Sequence, residues 1–184
     1  MDYIVRVMEA GAVIRECIPL VQPLADTGVI PNNAKCPLLI YQGALVLPKR
    51  NPAGTIEELF QKNLWGGTWR DGIYPYHHYH STAHEALACY GGSAEVQLGG
   101  EPGVTYTIHV GDVLLIPAGT GHKKLSGSED FAVVGGYPKG QDWDMCYGKP
   151  GERPRADENI ARVPLPRSDP IYGKDGPVTE YWKR

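Results

Sequence analysis

Short apolar runs alternate with turn-forming residues along most of the chain, and few stretches carry helical spacing. Residues 38–47, Leu-Leu-Ile-Tyr-Gln-Gly-Ala-Leu-Val-Leu, are an apolar run closed by Pro48, the pattern of a buried strand. After the Asn51-Pro52 turn, Thr55 is placed to cap a helix with Glu58 at its third position, and Ile56, Leu59 and Phe60 make one apolar side through about Asn63. From Trp65 to Tyr137 the pattern predicts strands at Thr68–Arg70, Tyr76–His80, Glu85–Tyr90, Ala94–Leu98, Thr105–Val110, Asp112–Ile116, His122–Leu125 and Phe131–Gly135. Glycines punctuate most of these ends, and strands this short and closely spaced predict a sandwich or barrel. Beyond Gly136 prolines dominate, with a short helix expected from Pro154 to about Arg162. The expectation is an all-β, single-domain chain. Residues 1–36 are an N-terminal arm, 37–137 the barrel core, and 138–184 a Pro-rich C-terminal extension packing on the barrel.

Composition fits that picture. The 184 residues include 23 glycines and 16 prolines, well above average usage, while 42% are hydrophobic, which is enough for a folded core. A net charge of −3 with scattered basic residues argues against a nucleic-acid partner. Apolar stretches such as Pro37–Tyr41 and Val113–Ala118 fall far short of the ~20 residues of a spanning helix. The start is broken by Asp2, Arg6 and Glu9, unlike a secretory signal, so no membrane and a cytoplasmic location are expected. Cys17, Cys36, Cys89 and Cys146 contain no C-x-x-C pair and read as free thiols used as small hydrophobes.

All six histidines lie between positions 77 and 122, and His77, His78, His80 and His84 precede Glu85 within a few residues. On a strand, residues two apart share a face, so His78 and His80 send both imidazoles to one side and His77 and Tyr79 face the other. A turn at Ser81–Ala83 lets Glu85 return as an oxygen ligand. The sharp Pro117-Ala-Gly-Thr-Gly121 turn then re-aims His122 inward. Three imidazoles and a carboxylate suit one divalent transition metal of the group Fe, Mn, Ni, Co, Cu or Zn. Parity puts His77 and His84 away from the metal. It also places Tyr76 at the barrel mouth, as the candidate catalytic residue whose hydroxyl donates to a substrate oxygen, and Cys89 in the interior beneath the metal. One of Lys123 and Lys124 could attract an anionic substrate, and Trp65, Trp69 and Trp143 read as structural aromatics.

Gly72-x5-His78-x-His80-x4-Glu85-x6-Gly92 and Gly111-x5-Pro117-x-Gly119-x2-His122 resemble the first and second motifs of the cupin superfamily position for position. The second motif usually closes with Asn where this chain has Ser126, a structural position that leaves the ligand set intact. Pro31-Asn-Asn33, Trp69-Arg-Asp-Gly-Ile-Tyr74 and Tyr137-Pro-Lys-Gly-Gln141 further resemble the YjlB-like subgroup of single-domain, RmlC-like cupins, over about residues 28–182. The resemblance implies a double-stranded β-helix, or jelly-roll barrel, holding a metal on His78, His80, Glu85 and His122 with open positions beside it.

The function expected is that of a mononuclear metal enzyme acting on a small polar molecule, an oxidoreductase of dioxygenase type or an isomerase. The alternative is a non-catalytic metal or small-ligand binding module. Metal-free acid/base epimerisation ranks last because all four ligand positions are intact. Cupins of this kind commonly pair through N-terminal strands, so a homodimer is expected.

Overall fold

A computed structural model describes residues 5–7 and 13–183, with side chains from Ile14 onward. In chain order the elements are β1 (Val5–Val7), β2 (Val13–Arg15), β3 (Leu20–Gln22), β4 (Leu38–Tyr41), β5 (Leu45–Val46), α1 (Pro52–Lys62), β6 (Trp65–Asp71), β7 (Glu85–Gly91), β8 (Ser93–Leu98), β9 (Val104–His109), β10 (Val113–Ile116), β11 (His122–Gly127), β12 (Ala132–Pro138), α2 (Arg155–Arg162) and α3 (Pro177–Tyr181).

Every named strand pairing is antiparallel. A six-stranded sheet runs β3-β4-β10-β7-β12-β6, a three-stranded sheet runs β11-β8-β9, and β1-β2-β5 make a third. The large sheet is covered on both faces, which explains why its strands read as continuous apolar runs. Leu38, Ile40, Leu87, Cys89, Leu114 and Val133 point inward and share one core with Val96, Leu98 and Ile108 of the small sheet. Their neighbours Leu39, Tyr41, Ala86, Ala88, Leu115 and Val134 point outward, where Ile56 and Phe60 of α1 and Val178 and Trp182 of the C-terminal segment bury them. Glu85 begins β7 with the inward parity of Leu87 and Cys89, so strand alternation alone delivers its carboxylate to the interior.

The structure departs from the sequence reading at three places. Residues 38–47 are two strands, because Gly43 adopts φ +58 and turns the chain. The first helix starts earlier than the Thr55 cap implies: Asn51, in left-handed conformation, accepts from the Gly54 amide, and Pro52 takes the first turn, where a missing N–H costs nothing. Tyr76–His80 is not a ladder strand; it makes only the isolated bridges His78 to His122 and Tyr79 to Cys146.

The C-terminal segment is anchored by a buried carboxylate. Asp169 accepts the Tyr41 hydroxyl and the amides of Ile171, Tyr172 and Val178. Trp65 Nε1 donates to the Ser168 carbonyl at 2.9 Å, and Trp182 Nε1 to the Pro37 carbonyl at 2.8 Å. Among the described residues no helix is long and apolar enough to cross a membrane.

Candidate metal centre

At one end of the barrel, ring nitrogens of His78, His80 and His122, all buried, lie within 4.8 Å of one another. They reach that point from separate segments. His78 and His80 come from the 72–84 connection, held against β11 by the paired amides and carbonyls of His78 and His122 at 3.0 and 3.2 Å. His122 opens β11 after a turn in which Gly119, at φ +92, donates its amide to the His80 carbonyl at 2.8 Å.

The Nδ1 sides of the three rings are already engaged with the backbone. His78 Nδ1 donates to the Tyr76 carbonyl at 3.3 Å, His122 Nδ1 to the Thr120 carbonyl at 3.2 Å, and His80 Nδ1 to the Asp144 carbonyl. A carbonyl can only accept, so each ring carries a proton on Nδ1, and in its neutral form each keeps the Nε2 lone pair for a cation. Glu85 Oε2 lies 3.4 Å from His80 Nε2 and 3.3 Å from His122 Nε2, yet it is buried with no hydrogen bond. The other carboxylate oxygen, Oε1, accepts the Tyr137 hydroxyl at 3.0 Å, and Tyr137 Oη accepts Trp69 Nε1 at 2.9 Å. Backbone-tethered imidazoles with free Nε2 atoms, beside an orphaned carboxylate oxygen, are the donor set a divalent cation fits.

Electrostatics agree with the geometry. Burial favours a neutral Glu85, but the adjacent His80 and His122 imidazoles outweigh it and hold the carboxyl well below the usual range. Burial also pulls His80 down, and the Glu85 charge reverses this and leaves it raised. His78 is pushed down to about 3 by burial, reinforced by the neighbouring His122. Burial and the Glu85 charge raise the Tyr137 phenol, which stays protonated and able to donate.

The histidine cluster opens into a cavity of about 230 Å³ walled by Trp69, Tyr74, Leu87, Tyr137, Trp143 and Met145. Tyr76 is absent from that lining. Its ring, 45% exposed, stacks on Tyr74 at 5.0 Å and faces a separate open depression shared with His77, Glu101, Lys123 and Tyr147. His77 pairs there with Gln97 and Glu101, and Lys123 with Glu101 at 2.7 Å. His84 is buried behind the barrel, accepting the Ala118 amide on Nδ1 and packing on Trp182. Cys89 lies in the inward core with its thiol pushed up to about 12 by burial, an unreactive packing residue. Trp65 is a buried packing residue, whereas Trp69 lines the cavity and donates to Tyr137, and Trp143 is half exposed, 5.5 Å from the His80 ring and near-parallel to Tyr137. Sequence reasoning missed Tyr137, Trp143 and Asp144, since nothing local marks a contact made across more than fifty residues.

The chain is 45% identical over 157 residues to the uncharacterised protein YjlB of Bacillus subtilis (strain 168), a match spanning 85% of this chain and 92% of that protein. The chain belongs to the YjlB family. Its two histidine-bearing motifs resemble those of the cupin superfamily, and its strand pairings are antiparallel. No family model matches the chain. Solved structures with partial likeness include the 11S allergen of Cocos nucifera, with 23% identity over 53% of this chain and a TM-score of 0.37. Another is the dTDP-6-deoxy-D-glucose-3,5-epimerase RmlC of Legionella pneumophila Philadelphia 1, with 14% identity over 66% of this chain and 72% of that one, TM-score 0.37. The YjlB-family chain spans 32% of the coconut protein's length.

Proposed function

We propose that this YjlB-family cupin binds one divalent transition metal on His78, His80, Glu85 and His122 and acts on a small polar molecule as a metal-dependent enzyme of dioxygenase or isomerase type. The observation that carries the reading is the pairing of three Nδ1-tethered imidazoles with the partnerless Glu85 Oε2. A bound metal supplies Lewis acidity or redox chemistry at an open coordination position.

The chain's own residues do the rest. Trp69 and Tyr137 hold the Glu85 carboxylate through one oxygen so that the other stays turned to the histidines. Aromatic side chains wall the cavity, whose volume of about 230 Å³ is below the roughly 300–1,000 Å³ of pockets for drug-sized ligands. The substrate is therefore small, and of the two cavity phenols Tyr74 is the one placed to meet it, because the Tyr137 proton is held by Glu85. The assembly is proposed to be a homodimer, since β3 is a sheet edge beside exposed Ile18, Leu20 and Val21.

The deciding experiment is elemental analysis of untagged protein purified without added metal, repeated on His80→Ala. Close to one equivalent of a transition metal in the parent and almost none in the variant supports the reading, and a metal-free parent overturns it. Oxygen uptake by the loaded protein with candidate substrates marks the dioxygenase branch; turnover without oxygen uptake marks the isomerase branch. Metal without turnover points to the binding-module alternative.

A further inference from the structure

The segment Asp142–Cys146, outside both histidine motifs, lies alongside the stretch that carries His80 and fastens to it repeatedly. Tyr79 and Cys146 exchange both backbone hydrogen bonds at 2.9 Å. The Asp142 carbonyl accepts the Thr82 hydroxyl at 2.8 Å, and just before the segment Gln141 Oε1 accepts the His84 amide at 2.9 Å. Between these, the Asp144 carboxylate accepts the Ser81 amide at 2.6 Å, the Ser81 hydroxyl at 2.5 Å and the Thr82 amide at 3.3 Å. With its carboxylate fixed this way, the Asp144 main-chain carbonyl is aimed at His80 Nδ1. The segment alternates like a strand. Asp144 faces the His80 stretch, while Trp143 and Met145 on either side of it line the cavity in front of the histidines.

We propose that Asp142–Cys146 is a strap with two coupled roles: Asp144 is a positioning residue that fixes the tautomer and aim of His80, and Trp143 and Met145 set the size of what reaches the metal centre. The inference rests on the metal-binding reading above and extends it to segments that carry no ligand. A ring held on Nδ1 by an oriented carbonyl loses less freedom on ligating through Nε2, which is why loss of such a partner typically costs 10–100-fold in metal affinity. Trp143 is half exposed and stacks on Tyr137, so truncating it widens the mouth without opening the core.

The test uses the full chain with Co(II) as probe metal and 2,2′-bipyridine as competing chelator. In Asp144→Ala the Co(II) dissociation constant is expected to rise 10–100-fold. The Ser81 and Thr82 amides of the metal-free variant should also exchange faster with deuterium. Ser81→Ala, which keeps the amide contact, should give a smaller effect in the same direction if Asp144→Ala fails to fold. Trp143→Ala should accelerate both Co(II) uptake and its removal by bipyridine severalfold, as a wider mouth requires and a weakened site does not. Unchanged Co(II) affinity in folded Asp144→Ala or Ser81→Ala overturns the positioning role, and an unchanged removal rate in Trp143→Ala overturns the access role. Failure of the parent chain to bind Co(II) overturns the metal reading instead, and amide exchange at Ser81 and Thr82 still reports whether Asp144 clamps the strap.

Discussion

Tyr137 donates its hydroxyl to Glu85 Oε1 at 3.0 Å, and this one bond decides which oxygen of the buried carboxylate remains free. The two residues are brought together because β12 pairs with β7 in the large sheet, with Gly136 opposite Ala86. Replacing Tyr137 by Phe keeps the ring and removes the hydroxyl. Glu85 Oε1 and Trp69 Nε1 then both lose their partner. Tyr137→Phe is expected to weaken metal binding roughly tenfold and to lower stability by about 1–3 kcal/mol. Metal titration and urea unfolding check both, and unchanged affinity would show that Glu85 needs no external orientation.

The turn before His122 depends on a backbone that only glycine adopts without strain. Gly119 sits at φ +92, donates to the His80 carbonyl and accepts the Asn32 amide, and an added Cβ would stand 2.6 Å from the Asn32 carbonyl oxygen. Because the blocking atom is main chain, it cannot swing aside. Gly119→Ala should cost on the order of 2–4 kcal/mol and reduce metal uptake by moving His80 and His122 relative to each other. Thermal unfolding together with Co(II) titration tests this; a variant with normal stability and uptake would mean that the turn has slack.

What could be read in the sequence follows the range of the physics involved. The strands from Glu85 to Tyr137 and the short helix at α2 rest on local parity and spacing and agree with the structure; His78, His80, Glu85 and His122 also come together, but the stretch that carries His78 and His80 is not the ladder strand that parity assumed. Tyr76 shows the limit of parity: it belongs to a connection that makes isolated bridges only, so alternation does not govern its ring, and stacking on Tyr74 turns it out of the cavity. The helix start was obscured because Asn51 and Thr55 both have capping side chains, and Pro52 decides in favour of the earlier one. Tyr137, Trp143 and Asp144 act across the fold, and no local pattern marks such a role. The α3 turn is similar, since five residues opening on a proline depend on burial of Val178 for their place.

The C-terminal segment is part of the core. Trp182 is 3% exposed, packs 4.6 Å from the His84 ring and donates Nε1 to the Pro37 carbonyl. Trp182→Ala leaves a cavity against the outer face of the large sheet and removes a buried hydrogen bond. The expected loss is about 3–5 kcal/mol, seen as a lower urea midpoint with the metal-binding constant of the folded protein nearly unchanged. A loss under about 1 kcal/mol would fall in the range of surface substitutions and show that the segment docks only loosely.

Acid should weaken the metal-free fold through His84. Its Nδ1 accepts the Ala118 amide at 3.0 Å, so the ring is neutral with its proton on Nε2, and burial pushes its pKa from 6.5 down to about 3. As pH falls below about 6.5 the unfolded histidine takes up a proton while the folded one does not until about 3. The unfolded state binds more protons throughout that window, so stability must fall with pH, by at most about 1.4 kcal/mol per pH unit for one such group. His78, also pushed down to about 3, adds a second contribution of the same sign when no metal is bound. Glu85 does not offset this loss: its depressed carboxyl gives stability that is present above about 4.5 and disappears only at lower pH. His80, raised, gives stability that is complete below 6.5 and is lost as pH rises through its folded value, so it opposes the loss only in the short stretch above 6.5, while His84 and His78 act over the whole range below it. Urea unfolding of chelator-treated protein at pH 7 and pH 5 should therefore show lower stability at pH 5. In His84→Phe, which keeps a ring against Trp182 and cannot titrate, the fall should be shallower by up to about 2 kcal/mol over those two units. A variant whose fall matches the parent's would place the acid sensitivity elsewhere.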